Sequence, residues 1–170
     1  PVSAVIASRF DELVDALDFI ADNNPVYLHG TRDLVGLEVA GAVSHVTAIA
    51  VGMAHAMEMG DTVRGVLLTH GLLDAARLGR ELGADPTTFA GLAGVGDLIP
   101  RRIPSTDRHV AAGEALAKGA SMDEVIDLCK GELEGVVTAA AAMSNSDLVL
   151  PLIEAVHAVC NGEMKASDAI

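Results

Sequence analysis

"GLEVAGAVSHVTAIAVG", residues 36–52, is the stretch on which the fold turns. It reads as the opening of a long buried helix, predicted over residues 36–59. At about 1.5 Å of rise per residue such a helix crosses a whole domain. Its small residues, Ala40, Gly41, Ala48 and Gly52, permit close neighbours. Ser44 and His45 interrupt the otherwise apolar run, and their role decides whether the chain can carry out chemistry.

Around that helix, composition narrows the field. The chain has 170 residues, 51% of them hydrophobic and only 2% aromatic, enough for one domain whose core is close-packed Ala, Val and Leu. The net charge of −13 opposes any general affinity for nucleic acid or an anionic membrane surface. An anionic ligand therefore needs a local basic pocket. No uninterrupted apolar run reaches the roughly 18 residues of a membrane span, since Val46–Met59 is broken by His55 and Glu58. No secretory signal opens the sequence. Two cysteines, Cys129 and Cys160, make no disulfide framework and read as reduced thiols in a helical core. The expectation is a soluble, cytoplasmic protein.

Toward the N-terminus, Val2–Ala7 and Pro25–Leu28 read as strands and Phe10–Ala21 as a helix. Two strands and one helix do not make a stable layer alone, so residues 1–32 read as the end of a larger α/β unit. Beyond Asp33 the pattern is helical: Asp61–Leu82, Thr87–Ala93, Arg108–Lys118, Ser121–Cys129, Val136–Met143 and Leu150–Asn161. Gly60-Asp61, Gly83-Ala84-Asp85-Pro86 and Gly119 act as breakers, and Ser121-Met122-Asp123-Glu124 as a capping box. The fold class is mainly α, with residues 33–170 forming the helical domain.

The ordered elements "DLVGLEVAGAV", Gly60-Asp61, "LLTHGL" at Leu67–Leu72, "GLAGVGDLI" at Gly91–Ile99 and "LEGV" at Leu133–Val136 resemble the C-terminal domain of the NAD(P)-dependent glycerol-3-phosphate dehydrogenase family. The resemblance covers nearly the whole chain without insertion or deletion. It implies a multi-helix, substrate-binding and dimerisation-type domain of the 6-phosphogluconate-dehydrogenase-like kind, preceded by a strand–helix–strand remnant of a Rossmann sheet. It also implies NAD or NADP as cofactor, not bound by this chain alone, a small phosphorylated metabolite as ligand, and a homo-oligomer. "GLAGVG" does not spell the G-x-G-x-x-G fingerprint and follows no strand, so its glycines are expected to serve helix approach before Asp97.

Position by position, the resemblance places the family's catalytic lysine and a following asparagine at Ser44 and His45. A serine hydroxyl carries no charge to stabilise a developing alkoxide. Proton transfer by a positioned acid or base contributes about 10²–10⁴-fold, so the usual mechanism is expected to fail here. Adjacent helical residues point about 100° apart, so His45 is expected not to inherit the lysine's direction and to pack against a backbone or acidic group. Asp97 matches the family's active-site aspartate. Arg108 matches its phosphate- and cofactor-binding arginine, and Ser105, Thr106 or Asp107 is placed to cap the next helix.

The family's serine is Asp107 here, its asparagine is His109, and its Thr-Cys pair is Arg101-Arg102. A carboxylate about 4 Å from a phosphate costs about 4 kcal/mol per pair of unit charges at an effective dielectric near 20. The two arginines either offset that penalty for a different anion or form a solvated loop paired with acids. Glu134 matches a cofactor-contacting glutamate, and Glu132 stands at an ordinarily apolar position. Neither histidine spacing nor cysteine context points to a metal or an activated nucleophile. Two functions stay open: the substrate-binding domain of a glycerol-3-phosphate dehydrogenase-like oxidoreductase, inactive as this chain, or a noncatalytic ligand-binding or assembly module derived from it.

Overall fold

The computed structural model describes residues 2–21, 25–101, 107–145 and 147–170. Strands β1 (Val2–Ala7) and β2 (Val26–Thr31) pair in parallel, in register from Val2 opposite Val26 to Ala7 opposite Thr31. Helix α1 (Asp11–Ala21) makes the crossover that a parallel pair requires. The chain then becomes helical: α2 (Leu34–Ala56), α3 (Asp61–Glu81), α4 (Pro86–Ala90), a π-helical turn (Leu92–Gly96), α5 (Asp97–Arg101), α6 (Arg108–Ala117), α7 (Met122–Cys129), α8 (Glu134–Asn145), α9 (Pro151–Cys160) and α10 (Ala166–Ala169).

Helix α2 is the axis of the domain, with α3, α6, α8 and α9 packed around it. Val46, Ile49, Val51 and Met53 are fully enclosed, as are Thr47, Ala48 and Ala50 between them. Burying each large side chain of this kind contributes roughly 1.5–3 kcal/mol, which makes α2 the centre of the hydrophobic stabilisation. By length and composition α2 could cross a membrane, being 23 residues long with a mean hydropathy of 1.7 in its most apolar window. That corrects the expectation that no run reaches the required length. Ser44 and His45 interrupt the run, and the apolar sides of the helix are taken up by its neighbours, as befits a core helix.

Two carboxylates tie this scaffold together. Asp33 caps α2 by accepting from the Gly36 amide at 2.8 Å, and it also accepts from the Asp85 amide at 2.9 Å and the Thr88 hydroxyl at 2.6 Å. Partial burial works against its charge, but the bonds from Thr88, Gly36 and Asp85 prevail and hold its carboxyl below the usual range. Asp74, fully buried on α3, accepts from the Leu152 and Ile153 amides at 2.9 and 3.2 Å and so caps α9 across the core. Arg77 stands 3.1 Å from the same carboxylate. Burial raises Asp74 above the usual range despite these partners.

Most helices keep their expected positions within a few residues. The helix expected over Thr87–Ala93 instead ends at Ala90, and a π turn over Leu92–Gly96 leads directly into α5. The reason lies in Gly94, where a side chain would overlap the Phe89 carbonyl, so the backbone doubles onto α4. The glycines therefore shape a backbone turn, a closer reading than general helix approach. Helices α5 and α10 are too short for periodicity to reveal.

Candidate functional site

A cavity of about 670 Å³ opens where β1, the N-terminal half of α2, the π turn and the start of α6 meet. Its walls include Val5, Leu37, Gly41, Ser44, His45, Asp97 and Asp107. Three sequence-selected positions, 44, 97 and 107, thus face one space. His45 joins them: although its side chain leaves the helix in a different direction from Ser44, the cavity is broad enough to be bordered by both.

Ser44 is only 2% exposed, and its hydroxyl donates to the Gly41 carbonyl at 2.7 Å, one turn back on α2. Its proton is held by a carbonyl oxygen, not by a base, so nothing in this geometry activates the oxygen as a nucleophile or an acid. Thr47 bonds back in the same way to Val43 at 3.0 Å.

Beside it, the His45 ring stacks face to face on that of His109, with centroids 4.4 Å apart and planes 8° from parallel. His109 is buried, with a carboxylate near each ring nitrogen: Asp107 within hydrogen-bond reach of Nδ1, and Glu134 at ion-pair distance from Nε2 without hydrogen-bond geometry. Nδ1 lies 3.3 Å from Asp107 Oδ1, and Nε2 lies 3.1 Å from Glu134 Oε2. Asp107 also caps α6, accepting from the His109 amide at 2.8 Å. Of the expected caps for this helix, Ser105 and Thr106 fall outside the described residues, as does Arg102. The Arg101 side chain does too, so the Arg101-Arg102 reading stands where it was.

Close backbone approach assembles this cluster. A side chain at Gly113 would overlap the Ile49 carbonyl oxygen, and one at Gly135 would come within 2.8 Å of the His45 carbonyl oxygen. These two glycines bring α6 and α8 onto α2 at the turn that carries His45. His109 and Glu134, one turn and one residue earlier on those helices, are seated beside it as a result.

Arg108 does not line the cavity. Its guanidinium donates to the Gly131 carbonyl at 3.2 Å and to the Glu132 carbonyl, fastening α6 to the loop before α8. The Cys129 thiol donates to the Arg108 carbonyl at 3.5 Å; burial raises this thiol, with Arg108 opposing the shift. Glu134 is held below the usual carboxylate range by its own amide, with Arg108, His109 and His45 adding to the effect. Glu132 and Glu134 border a separate recess of about 290 Å³ with Leu133, Val137 and Thr138. Sequence reading selected His45 and His109 singly and missed that they form a pair. The available signal was the glycine one turn beyond His109.

Residues 33–170 match the family model described as the NAD-dependent glycerol-3-phosphate dehydrogenase C-terminus. The chain belongs to that family. The glycerol-3-phosphate dehydrogenase [NAD(P)+] of Rhodospirillum rubrum is 35% identical over 100% of this chain and 50% of its own length. That of Pseudomonas aeruginosa is 36% identical over 92% of this chain and 47% of its own length. A crystal structure of glycerol-3-phosphate dehydrogenase from Coxiella burnetii superposes with a TM-score of 0.89 at 26% identity, covering 99% of this chain and 53% of that one.

This chain therefore spans about half the length of the curated relatives it matches. Those relatives are named for NAD(P)+, but among the described residues no cradle for a dinucleotide pyrophosphate is formed. The Gly91–Gly96 stretch follows a helix and winds as a π turn, not as a strand-to-helix loop.

Proposed function

We propose that this chain is the substrate-binding domain of a glycerol-3-phosphate dehydrogenase-like, NAD(P)-linked oxidoreductase in which the lysine-dependent reduction of dihydroxyacetone phosphate has been lost. The helical part, residues 33–170, binds ligand and makes the homo-oligomeric contacts, while residues 1–32 complete a nucleotide-binding sheet. The observation that carries the reading is Ser44: at the cavity wall its hydroxyl is committed to the Gly41 carbonyl, and it has no charge with which to replace an ammonium group. A noncatalytic ligand-binding module is the second reading, favoured by the two carboxylates, Asp97 and Asp107, that border the cavity.

The test joins the chain in frame to the nucleotide-binding half of the Rhodospirillum rubrum relative and follows NADH and NADPH oxidation with dihydroxyacetone phosphate. The parent fusion is expected to be inactive. Ser44→Lys with His45→Asn is expected to be necessary for activity, and adding Asp107→Ser to raise it further. Turnover by the parent fusion at an ordinary enzymatic rate, roughly 1–10³ per second, overturns the proposal. A fusion that binds ligand but stays inactive with all three substitutions supports the noncatalytic reading.

A further inference from the structure

Side-chain hydrogen-bond acceptors dominate the wall of the cavity. Ser44 gives its one proton to the Gly41 carbonyl at 2.7 Å, so its oxygen meets a ligand with lone pairs alone. Asp97 and Asp107 border the same space. An ionised carboxylate only accepts, and it has sites for about four donors. A bond from a neighbour, such as that of the His109 amide to Asp107 Oδ1, does not exhaust such a group. Ser3 and His45, which can each donate or accept, are the other polar side chains among the described residues of the wall. No lysine or arginine is among those residues, and Arg108, to which the resemblance assigned phosphate, turns to the Gly131 and Glu132 carbonyls.

A wall of this kind selects by complementarity. A phosphate ester at neutral pH presents acceptor oxygens and negative charge, which match neither a carboxylate nor a serine oxygen whose proton is committed elsewhere. A primary ammonium presents three donors and the opposite charge, and each hydroxyl adds a donor. Val5, Leu37 and Leu92 supply an apolar side for a carbon skeleton. The volume of about 670 Å³ lies within the roughly 300–1,000 Å³ of small-molecule sites.

We propose that the cavity takes a small hydroxylated amine, its ammonium group received by the carboxylates of the wall, Asp97 and Asp107, and a hydroxyl donating to Ser44 Oγ. This deepens the functional reading and rests on it in taking the cavity as the ligand site. The loss of the lysine and the carboxylate at position 107 then belong to one change, from a wall that attracts a phosphorylated triose to one that repels it. The net charge of −13 draws cations to the whole surface, so the location of binding is as decisive as its strength.

Four probes on one three-carbon skeleton separate the contributions: serinol carries an ammonium and two hydroxyls, isopropylamine the ammonium alone, glycerol the hydroxyls alone, and glycerol 3-phosphate hydroxyls with an anion. Nitrogen-15 amide spectra of the intact chain at pH 7 give affinity and location together. Serinol is expected to shift the amides of Gly41, Ser44 and Asp97, binding at least tenfold more tightly than glycerol 3-phosphate and at least threefold more tightly than isopropylamine or glycerol. Ser44→Ala, which removes only a bond within the helix, should weaken serinol at least threefold and leave isopropylamine unchanged. Asp97→Asn should weaken serinol and isopropylamine alike and leave glycerol unchanged. The parent order and Ser44→Ala decide the matter even if Asp97→Asn misfolds. Glycerol 3-phosphate binding as tightly as serinol, isopropylamine binding as tightly as serinol, shifts spread over the acidic surface instead of the cavity amides, or no binding by any probe overturns the proposal. The titrations use neither cofactor nor fusion, so their failure is distinct from turnover by the parent fusion, which overturns the loss of activity and leaves the order of the probes as it is.

Discussion

Gly113→Ala is the most direct perturbation of the geometry that builds the site. The added methyl overlaps the Ile49 carbonyl oxygen and stands 2.9 Å from both the Ile49 carbonyl carbon and the Met53 amide nitrogen. All three are main-chain atoms of the central helix, so no side-chain rotation relieves the overlap, and α6 must move away from α2. Overpacking of this kind costs roughly 1–3 kcal/mol, occasionally more, and rigid neighbours place it in the upper part of that range. Alanine returns up to about 1 kcal/mol of helix propensity. The net cost is about 2 kcal/mol, and for a chain of this length the melting temperature should fall by roughly 4–8 °C.

The control is Gly65→Ala in α3, where an added methyl meets nothing within 4 Å. There only the propensity gain acts, and the melting temperature should rise by a few degrees. Because Gly113 lies one turn beyond His109, and Ile49 one turn beyond His45, displacement of α6 should also part the stacked rings. Calorimetry gives the stability change, and the ring-proton shifts of the two histidines report the stacking. If Gly113→Ala is as stable as the parent with the ring shifts unchanged, the close crossing of α2 and α6 is wrong.

Four further outcomes follow from the same structure. Ser44→Ala removes only a bond within the helix and should change stability by less than about 1 kcal/mol in urea unfolding, while a larger loss would show that the hydroxyl has a tertiary partner. Asp33→Asn should destabilise at neutral pH, with the difference shrinking in acid. A carboxyl lowered in the folded state contributes stability above its unfolded value near 3.8, and that stability is lost as pH falls through the folded value; denaturant series between about pH 2.5 and 7 check it. Ser121→Ala breaks the capping box in which Ser121 and Glu124 bond reciprocally, and should cost about 1 kcal/mol by the same assay. The Cys160 thiol, pushed up to about 11 by burial, should resist alkylation at pH 8 in the native protein and react once denatured. Rapid native labelling would contradict its enclosure.

The sequence alone carried the helical architecture, because apolar periodicity, glycine breakers and capping residues act over a few positions and mark α2, α3, α6, α7 and α9 directly. Motif order carried the family, and it marked Ser44 as the position at which the resemblance places a lysine. Short-range signals also offered Asp107, beside Ser105 and Thr106, as a cap, and the structure has Asp107 in that role. They could not show that Arg108 turns to the carbonyls of Gly131 and Glu132, since those acceptors are more than twenty residues away. Nor could they join His45 to His109, or His109 to Glu134. Those contacts exist because Gly113 and Gly135 let two helices approach the backbone of a third, and such an approach depends on how surfaces meet in space. The tertiary structure decided which residues share the cavity.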